Sequence, residues 1–177
     1  FVNLHFPSGS SPFFGPVCHE VNHLPEAEVF KRLWATMSRG LDGMTFGARD
    51  LPYFSWRFVE HPEFVYRFIE LKSFLRRRTI GLAIVRVDGE ICQLSDIVAP
   101  LDDLPEILPA LAAWSTQQGC KELHFSLTGR FARSLSPLAL ECNPLGVSIT
   151  VSSLMPKDKV DLIHEAFWLT AGDTDYR

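Results

Sequence analysis

What these 177 residues lack removes several classes of protein before anything is read from what they contain. A surplus of positive charge is missing: the formal net charge is −4, whereas general nucleic-acid binding draws its affinity from phosphate neutralisation. No apolar run approaches the roughly 20 residues of a membrane-spanning helix, and no secretory leader is visible. Paired cysteine spacing is also missing. Cys18, Cys92, Cys120 and Cys142 stand far apart with no C-x-x-C, which argues against a zinc ribbon or a disulfide framework and fits a reducing, cytoplasmic setting. There is no G-x-S-x-G elbow, no G-x-G-x-x-G and no G-x-x-x-x-G-K-[ST]. With 46% hydrophobic and 21% charged residues, the chain is nevertheless long and apolar enough to bury the core of a folded domain.

What is there begins with an aromatic stretch, Tyr53-Phe54-Ser55-Trp56-Arg57-Phe58-Val59-Glu60-His61-Pro62, continued by Glu63-Phe64-Val65-Tyr66-Arg67-Phe68. Asp50 is an N-cap residue, and Pro52 sits early, where a missing N–H costs little. Tyr53 with Trp56, and Phe54 with Phe58, fall at helical spacing, and the aromatics of the segment, Trp56, Phe58 and Phe64 among them, are expected in the core. His61 precedes a proline and should end the helix. Beyond it, Phe64, Tyr66 and Phe68 alternate with Val65, Arg67 and Ile69, the period of a strand buried on both sides.

The same pattern predicts strands at Val17–Leu24, Phe64–Leu71, Ile80–Val87, Glu90–Ala99, Lys121–Leu127, Gly146–Leu154 and Ala166–Thr170. Asp88-Gly89 marks a hairpin between the third and fourth of these. Helices are predicted at Pro25–Ser38, from Asp50, from Pro105 towards Gly119, and at Arg130–Leu140 with a break near Pro137. Residues 1–16 read as a flexible connector or the end of a preceding domain, and 17–177 as the domain itself, a piece of something longer. The order is that of a mixed α/β (α+β) domain with an antiparallel meander in its middle.

One motif matches to the letter. His19-Glu20-Val21-Asn22-His23 fits H-E-x-x-H, the zinc-peptidase pattern, which needs a helix to bring both histidines to one face. Pro16 and Pro25 bracket too short a segment of weak helix formers, and as a strand the two histidines stand ~13 Å apart. A zinc peptidase built on His19, Glu20 and His23 is the third-ranked reading, and no metal is expected. His5, His61, His124 and His164 show no spacing of a ligand set.

Three stretches carry a family resemblance: Asp50-Leu51-Pro52-Tyr53-Phe54-Ser55-Trp56-Arg57-Phe58-x-x-His61-Pro62, Leu94-Ser95-Asp96-Ile97-Val98, and Trp168-Leu169-Thr170-Ala171-Gly172-Asp173-Thr174-Asp175. Together with the strand order they resemble the GNAT (N-acetyltransferase-like) acyltransferase superfamily, in particular the GNAT-like domains found in tandem in bacterial polysaccharide-synthesis proteins. The resemblance implies a mixed, mostly antiparallel sheet of six to seven strands with helices on both faces. It also implies an acyl thioester donor (acetyl-CoA, another acyl-CoA, or a carrier-bound thioester), a small-molecule amine acceptor, and a homodimer or a partner GNAT-like half.

By the same resemblance the strand Glu90–Ala99 splays from Lys121–Leu127 and pairs with the pantetheine arm. Ile97, Val98, Ala99, Leu101, Asp102 and Asp103 are then the cofactor-contacting residues. Asp96 is the implied general base, with Ser126 at the end of the neighbouring strand and Arg57 beside the cleft; Thr128, Tyr53 and Tyr66 are further polar candidates. Two features depart from the family pattern. The Ala99–Asp103 loop has no glycine and no basic residue but two aspartates, and Arg130-Phe131-Ala132-Arg133-Ser134 has no tyrosine. These departures support an alternative, a non-catalytic scaffold or dimerisation half of a longer protein.

Overall fold

The computed structural model describes residues 2–7, 15–75, 77–145 and 155–173, with backbone alone at 162–166. Nine strands and five α-helices are seen among them: β1 (Val2–Pro7), β2 (Val17–Val21), α1 (Ala27–Gly40), β3 (Thr45–Phe46), α2 (Leu51–Phe54), β4 (Arg67–Lys72), β5 (Thr79–Asp88), β6 (Ile91–Val98), α3 (Leu104–Gln117), β7 (Glu122–Leu127), α4 (Gly129–Leu135), β8 (Glu141–Pro144), α5 (Lys157–Ala166) and β9 (Phe167–Trp168). Seven strands form one sheet in the order β2-β4-β5-β6-β7-β1-β8, while β3 and β9 form a small parallel pair. Within the large sheet only β6 and β7 run parallel; the other described pairs are antiparallel. The expected mixed, mostly antiparallel sheet is what forms. Among the described residues, no helix is long and apolar enough to cross a membrane.

Local chemistry explains most of the elements. The Asp50 carboxylate accepts from the Tyr53 N–H at 2.8 Å and so starts α2. The helix then widens into a π-helical turn over Ser55–Val59, where the Glu60 N–H donates to the Ser55 carbonyl, and it stops before His61 and Pro62 as expected. Phe54 and Phe58, four apart, share the buried face. Trp56 points the other way and is 64% exposed, so its expected place in the core is corrected. The strand expected from Phe64 starts three residues later, at Arg67. The His61 ring accepts from the N–H groups of Glu63 and Phe64 and holds a turn there. Phe64 stays half-exposed with the Arg86 guanidinium 4.3 Å over its ring. Asp88 pairs with Ile91 across a two-residue turn, with Gly89 at φ +57° in its first central position.

The core lies on both faces of the central strands. Leu82–Val85 on β5 and Leu94–Val98 on β6 are buried without interruption, the pattern of strands covered on both sides. Sequence reasoning missed β3, β8 and α5, and the predicted strand at 146–154 lies outside the described residues. Residues 2–7, placed by sequence in a connector or preceding domain, form β1 inside this sheet. That strand is antiparallel to β7 on one side and to β8 on the other.

β1 is held by apolar burial as well as by its two ladders, since Leu4 is fully buried and Phe6 is 2% exposed. Phe6→Ala is expected to cost about 3–5 kcal/mol, measured as the shift of a urea unfolding midpoint. A loss below about 1 kcal/mol would mean that β1 is peripheral to the domain.

Candidate functional site

The parallel pair β6–β7 is where the resemblance places chemistry, and its geometry follows from one irregularity. β6 pairs with β7 from Ile91↔Glu122 through Leu94↔Phe125, and the described ladder ends there. On its other side β6 meets β5 as Val85↔Leu94 and Ile84↔Asp96, which leaves Ser95 as an extra residue. Such a bulge bends a strand and strengthens its twist, so β6 turns away from β7 beyond Leu94. The expected parting of the two strands is present.

The parting is filled by the chain itself. The Leu169 carbonyl accepts from the Thr128 N–H at 3.3 Å, Thr170 bridges Leu127, and the Thr128 hydroxyl donates to the Phe167 carbonyl at 2.6 Å. Trp168 is fully buried, edge-on to Phe131 with ring centroids 4.6 Å apart. Gly172 enters so closely that a Cβ there would lie 2.9 Å from Phe58 Cζ and 3.0 Å from the Ser95 carbonyl oxygen. Only glycine fits without displacing one of the two.

A buried ion-pair network anchors this segment. Arg49 Nε donates to both oxygens of Asp96, at 3.2 and 3.0 Å, and Arg49 Nη2 donates to Asp173 Oδ2 at 2.5 Å. Arg49 and Asp96 are fully buried, and the Asp173 side chain is 10% exposed. The Ile97 N–H donates to Asp96 Oδ1 at 2.8 Å, and the Thr170 N–H to Asp173 Oδ2 at 2.9 Å. Both partners of the Arg49–Asp96 pair shift upwards, for opposite reasons. Burial works against the guanidinium charge, but Asp96 and Asp173 outweigh it and raise Arg49 above its ordinary value. Burial pushes the Asp96 carboxyl up to about 6, and Asp173 adds to the rise while Arg49 and the Ile97 N–H oppose it.

The remaining site residues fall around this network. Arg57 Nε donates to the Gly172 carbonyl at 2.8 Å, and the Tyr53 hydroxyl donates to the same oxygen at 3.2 Å. Burial, then the charges of Asp96 and Asp173, raise the Tyr53 phenol above its ordinary value and keep it a donor. Ser126 points elsewhere, its hydroxyl donating to Asn3 Oδ1 on β1 at 2.9 Å. Tyr66, with its phenol raised by burial, packs edge-on against Phe58 at 5.1 Å. Ile97, Val98 and Ala99 are fully buried. Leu101–Asp103 form a 3-10 turn ahead of α3, with Asp102 exposed, and burial followed by Glu106 and Asp102 raises the Asp103 carboxyl. Three carboxylates thus crowd the start of α3, where they stabilise the helix and repel an anion.

Sequence reasoning missed Arg49, the hub of the network. From the sequence, Arg57 or a backbone N–H is the expected partner of Asp96; the Ile97 N–H is one, and the cation is Arg49, from the loop before α2, while Asp175 lies outside the described residues. His19 is in strand β2 and the His23 ring bonds the Leu24 carbonyl, so these two with Glu20 do not converge on a metal position. A cavity of about 230 Å³ opens between β2, β4, β5 and the start of α1, lined by His23, Glu26, Glu70 and Gly81 among others.

Arg49→Met removes the cation between two carboxylates and leaves Asp96 buried without a counter-charge. We expect it to cost about 3–5 kcal/mol in chemical denaturation, with Arg49→Lys a poor rescue because the forked donor geometry is lost. The raised Asp96 carboxyl also makes stability depend on pH. Its folded value is above that of an unfolded aspartate, about 4, so the folded state holds the proton more tightly. That stability is present below about pH 4 and is lost as the pH rises through about 6. Urea midpoints from pH 4 to 7 should therefore fall more steeply for the wild type than for Asp96→Asn.

No protein-family profile matches this chain, and no curated protein matches it. Among solved structures it is similar to a conserved protein of unknown function from Enterococcus faecalis V583, described as a probable N-acyltransferase. The TM-score is 0.55 at 10% identity, over 81% of this chain and 37% of that one. The chain therefore spans well under half the length of that protein, and the likeness is one of fold alone, that of a mixed, mostly antiparallel sheet with helices.

Proposed function

We propose that this chain is a GNAT-like half of a longer acyltransferase-type protein, in which it serves as a structural half and does not itself hold the thioester. One observation carries the reading: the parting of β6 and β7 is occupied by Phe167–Asp173, locked through Arg49 to Asp96. A pantetheine arm pairing with β6 there would have to displace Gly172 and leave the Asp96–Arg49–Asp173 set open to water. The acidic start of α3 supports the same reading, because Asp102, Asp103 and Glu106 oppose a pyrophosphate and Pro100 and Pro105 have no N–H to offer one.

A second reading, transfer of an acyl group from acyl-CoA or a carrier-bound thioester to an amine on a small molecule, is favoured by the bulge at Ser95 and the parting itself. It requires the Phe167–Asp173 segment to withdraw. Asp96, freed from Arg49, would then take the amine proton as the nitrogen attacks the thioester carbonyl, and the departing thiolate would be protonated by Tyr53, with Arg57 and Ser126 orienting the acceptor.

Thermal denaturation against CoA, acetyl-CoA and longer acyl-CoAs separates the two. The structural reading expects no rise in melting temperature for the wild type across the panel. A rise of several degrees that grows with ligand concentration would overturn it in favour of the transferase.

A further inference from the structure

On the sheet face opposite Leu4 and Phe6, the strands β7, β1 and β8 bring together the polar side chains of Asn3, His5, Glu122, His124, Ser126, Glu141 and Asn143. His5 stands directly across from His124 on β7 and from Glu141 on β8, and Asn3 across from Ser126 and Asn143. Glu122 precedes His124 by two residues and so projects from the same side. The two imidazoles stack with ring centroids 3.9 Å apart. Their inner nitrogens face one carboxylate: His124 Nε2 is 2.7 Å and His5 Nδ1 3.4 Å from Glu122 Oε2, and Glu141 Oε2 lies 3.7 Å from His5 Nδ1.

We propose that His5, His124 and Glu122, with Glu141 as a fourth ligand, form a divalent transition-metal site suited to zinc, which clips β1 into the sheet. Three donor atoms, one each from His5, Glu122 and His124, lie within 4.8 Å of one another. The separations of 2.7 and 3.4 Å from Glu122 Oε2 to His124 Nε2 and His5 Nδ1 bracket the roughly 3.3 Å edge of a tetrahedron whose metal–ligand bonds are about 2.0–2.1 Å. Two imidazoles and carboxylates are a donor set that zinc accepts, with no thiolate needed. The side chains are neither deep nor free: His5 is 18% and His124 12% exposed, so the rings are pre-placed, while Glu122 at 45% leaves a path for the ion.

An outer layer is also in place. Asn3 Nδ2 lies 3.1 Å from His5 Nε2 and 3.4 Å from His124 Nδ1, the nitrogens that face away from Glu122, and Asn3 Oδ1 accepts from Ser126. When the metal takes the inner nitrogens, the outer ones carry the protons. A half-turn of the Asn3 amide then lets its oxygen accept from both rings while its NH₂ donates to the Ser126 oxygen. Asn143 donates to Glu141 Oε2 at 3.1 Å and orients that carboxylate. Binding replaces the His124–Glu122 hydrogen bond with two bonds to the ion and tilts the stacked rings about it. The site is independent of any thioester chemistry and joins three strands, β1, β7 and β8, of which β1 lies more than a hundred residues from the other two.

The test uses untagged, chelator-treated protein titrated with Zn²⁺ by calorimetry, and with Co²⁺ followed by its visible absorption. The expected result is one equivalent bound, a melting temperature that rises with zinc concentration, and slower amide exchange along β1. His5→Gln, His124→Gln and Glu122→Gln should each weaken binding by about tenfold or more and abolish the rise of melting temperature with zinc. His19→Gln with His23→Gln should leave binding unchanged. Absence of uptake by the wild type overturns the site. So does uptake that survives His5→Gln with His124→Gln, or that disappears with the His19 and His23 pair.

Discussion

The arginine at position 49 is the constraint around which the rest of this structure is arranged. A guanidinium with no exposure to solvent must be paired, or the desolvation of its charge would be prohibitive. Its two carboxylate partners come from distant parts of the chain, Asp96 on the central strand β6 and Asp173 near the end of the described residues. Satisfying one cation thus ties together the loop before α2, the middle of the sheet and the segment that closes the β6–β7 parting. The bulge at Ser95 belongs to the same arrangement. It opens the space that Gly172 enters, and the ion pair keeps Gly172 there.

That coupling decides how the domain relates to its fold. The resemblance read from the sequence led to the expectation that an extended ligand completes the parting between the two parallel strands. Here the chain completes it with its own backbone, through Leu169 on Thr128, Thr170 on Leu127 and the Gly172 carbonyl on Arg57 and Tyr53. Groups expected to act on a substrate, Asp96, Arg57 and Tyr53, are engaged in holding that segment. The acidic, proline-bearing start of α3 agrees with the proposed structural role, since its carboxylates repel an anion.

At the other end of the sheet the polar groups are arranged differently. β1 brings His5 and Asn3 between strands that carry His124, Glu122, Ser126 and Glu141, and the result is a polar face backed by the apolar layer of Leu4, Phe6, Leu123 and Phe125. Positions 5 and 124 have no spacing that suggests a shared ligand. Only an antiparallel ladder between strands more than a hundred residues apart places the rings in contact.

Whatever rests on neighbours along the chain was legible in the sequence. The Asp50 cap, the stop at His61-Pro62, the Gly89 turn, the alternating buried strands and the order of elements that resembles a GNAT domain are all local patterns of propensity, capping and period. The α2 face could be read from Phe54 and Phe58, but the outward turn of Trp56 could not. β4 starts later than its alternation suggested because the His61 ring captures two backbone N–H groups. Folding in three dimensions was needed to put residues 2–7 inside the sheet, to give Asp96 to Arg49 and not Arg57, to fill the parting from within, and to bring His5 to His124. Each of these is a pairing across a long stretch of chain. Its partner is fixed by which charge must be neutralised and which backbone edge must be covered, and no spacing in the sequence records that choice.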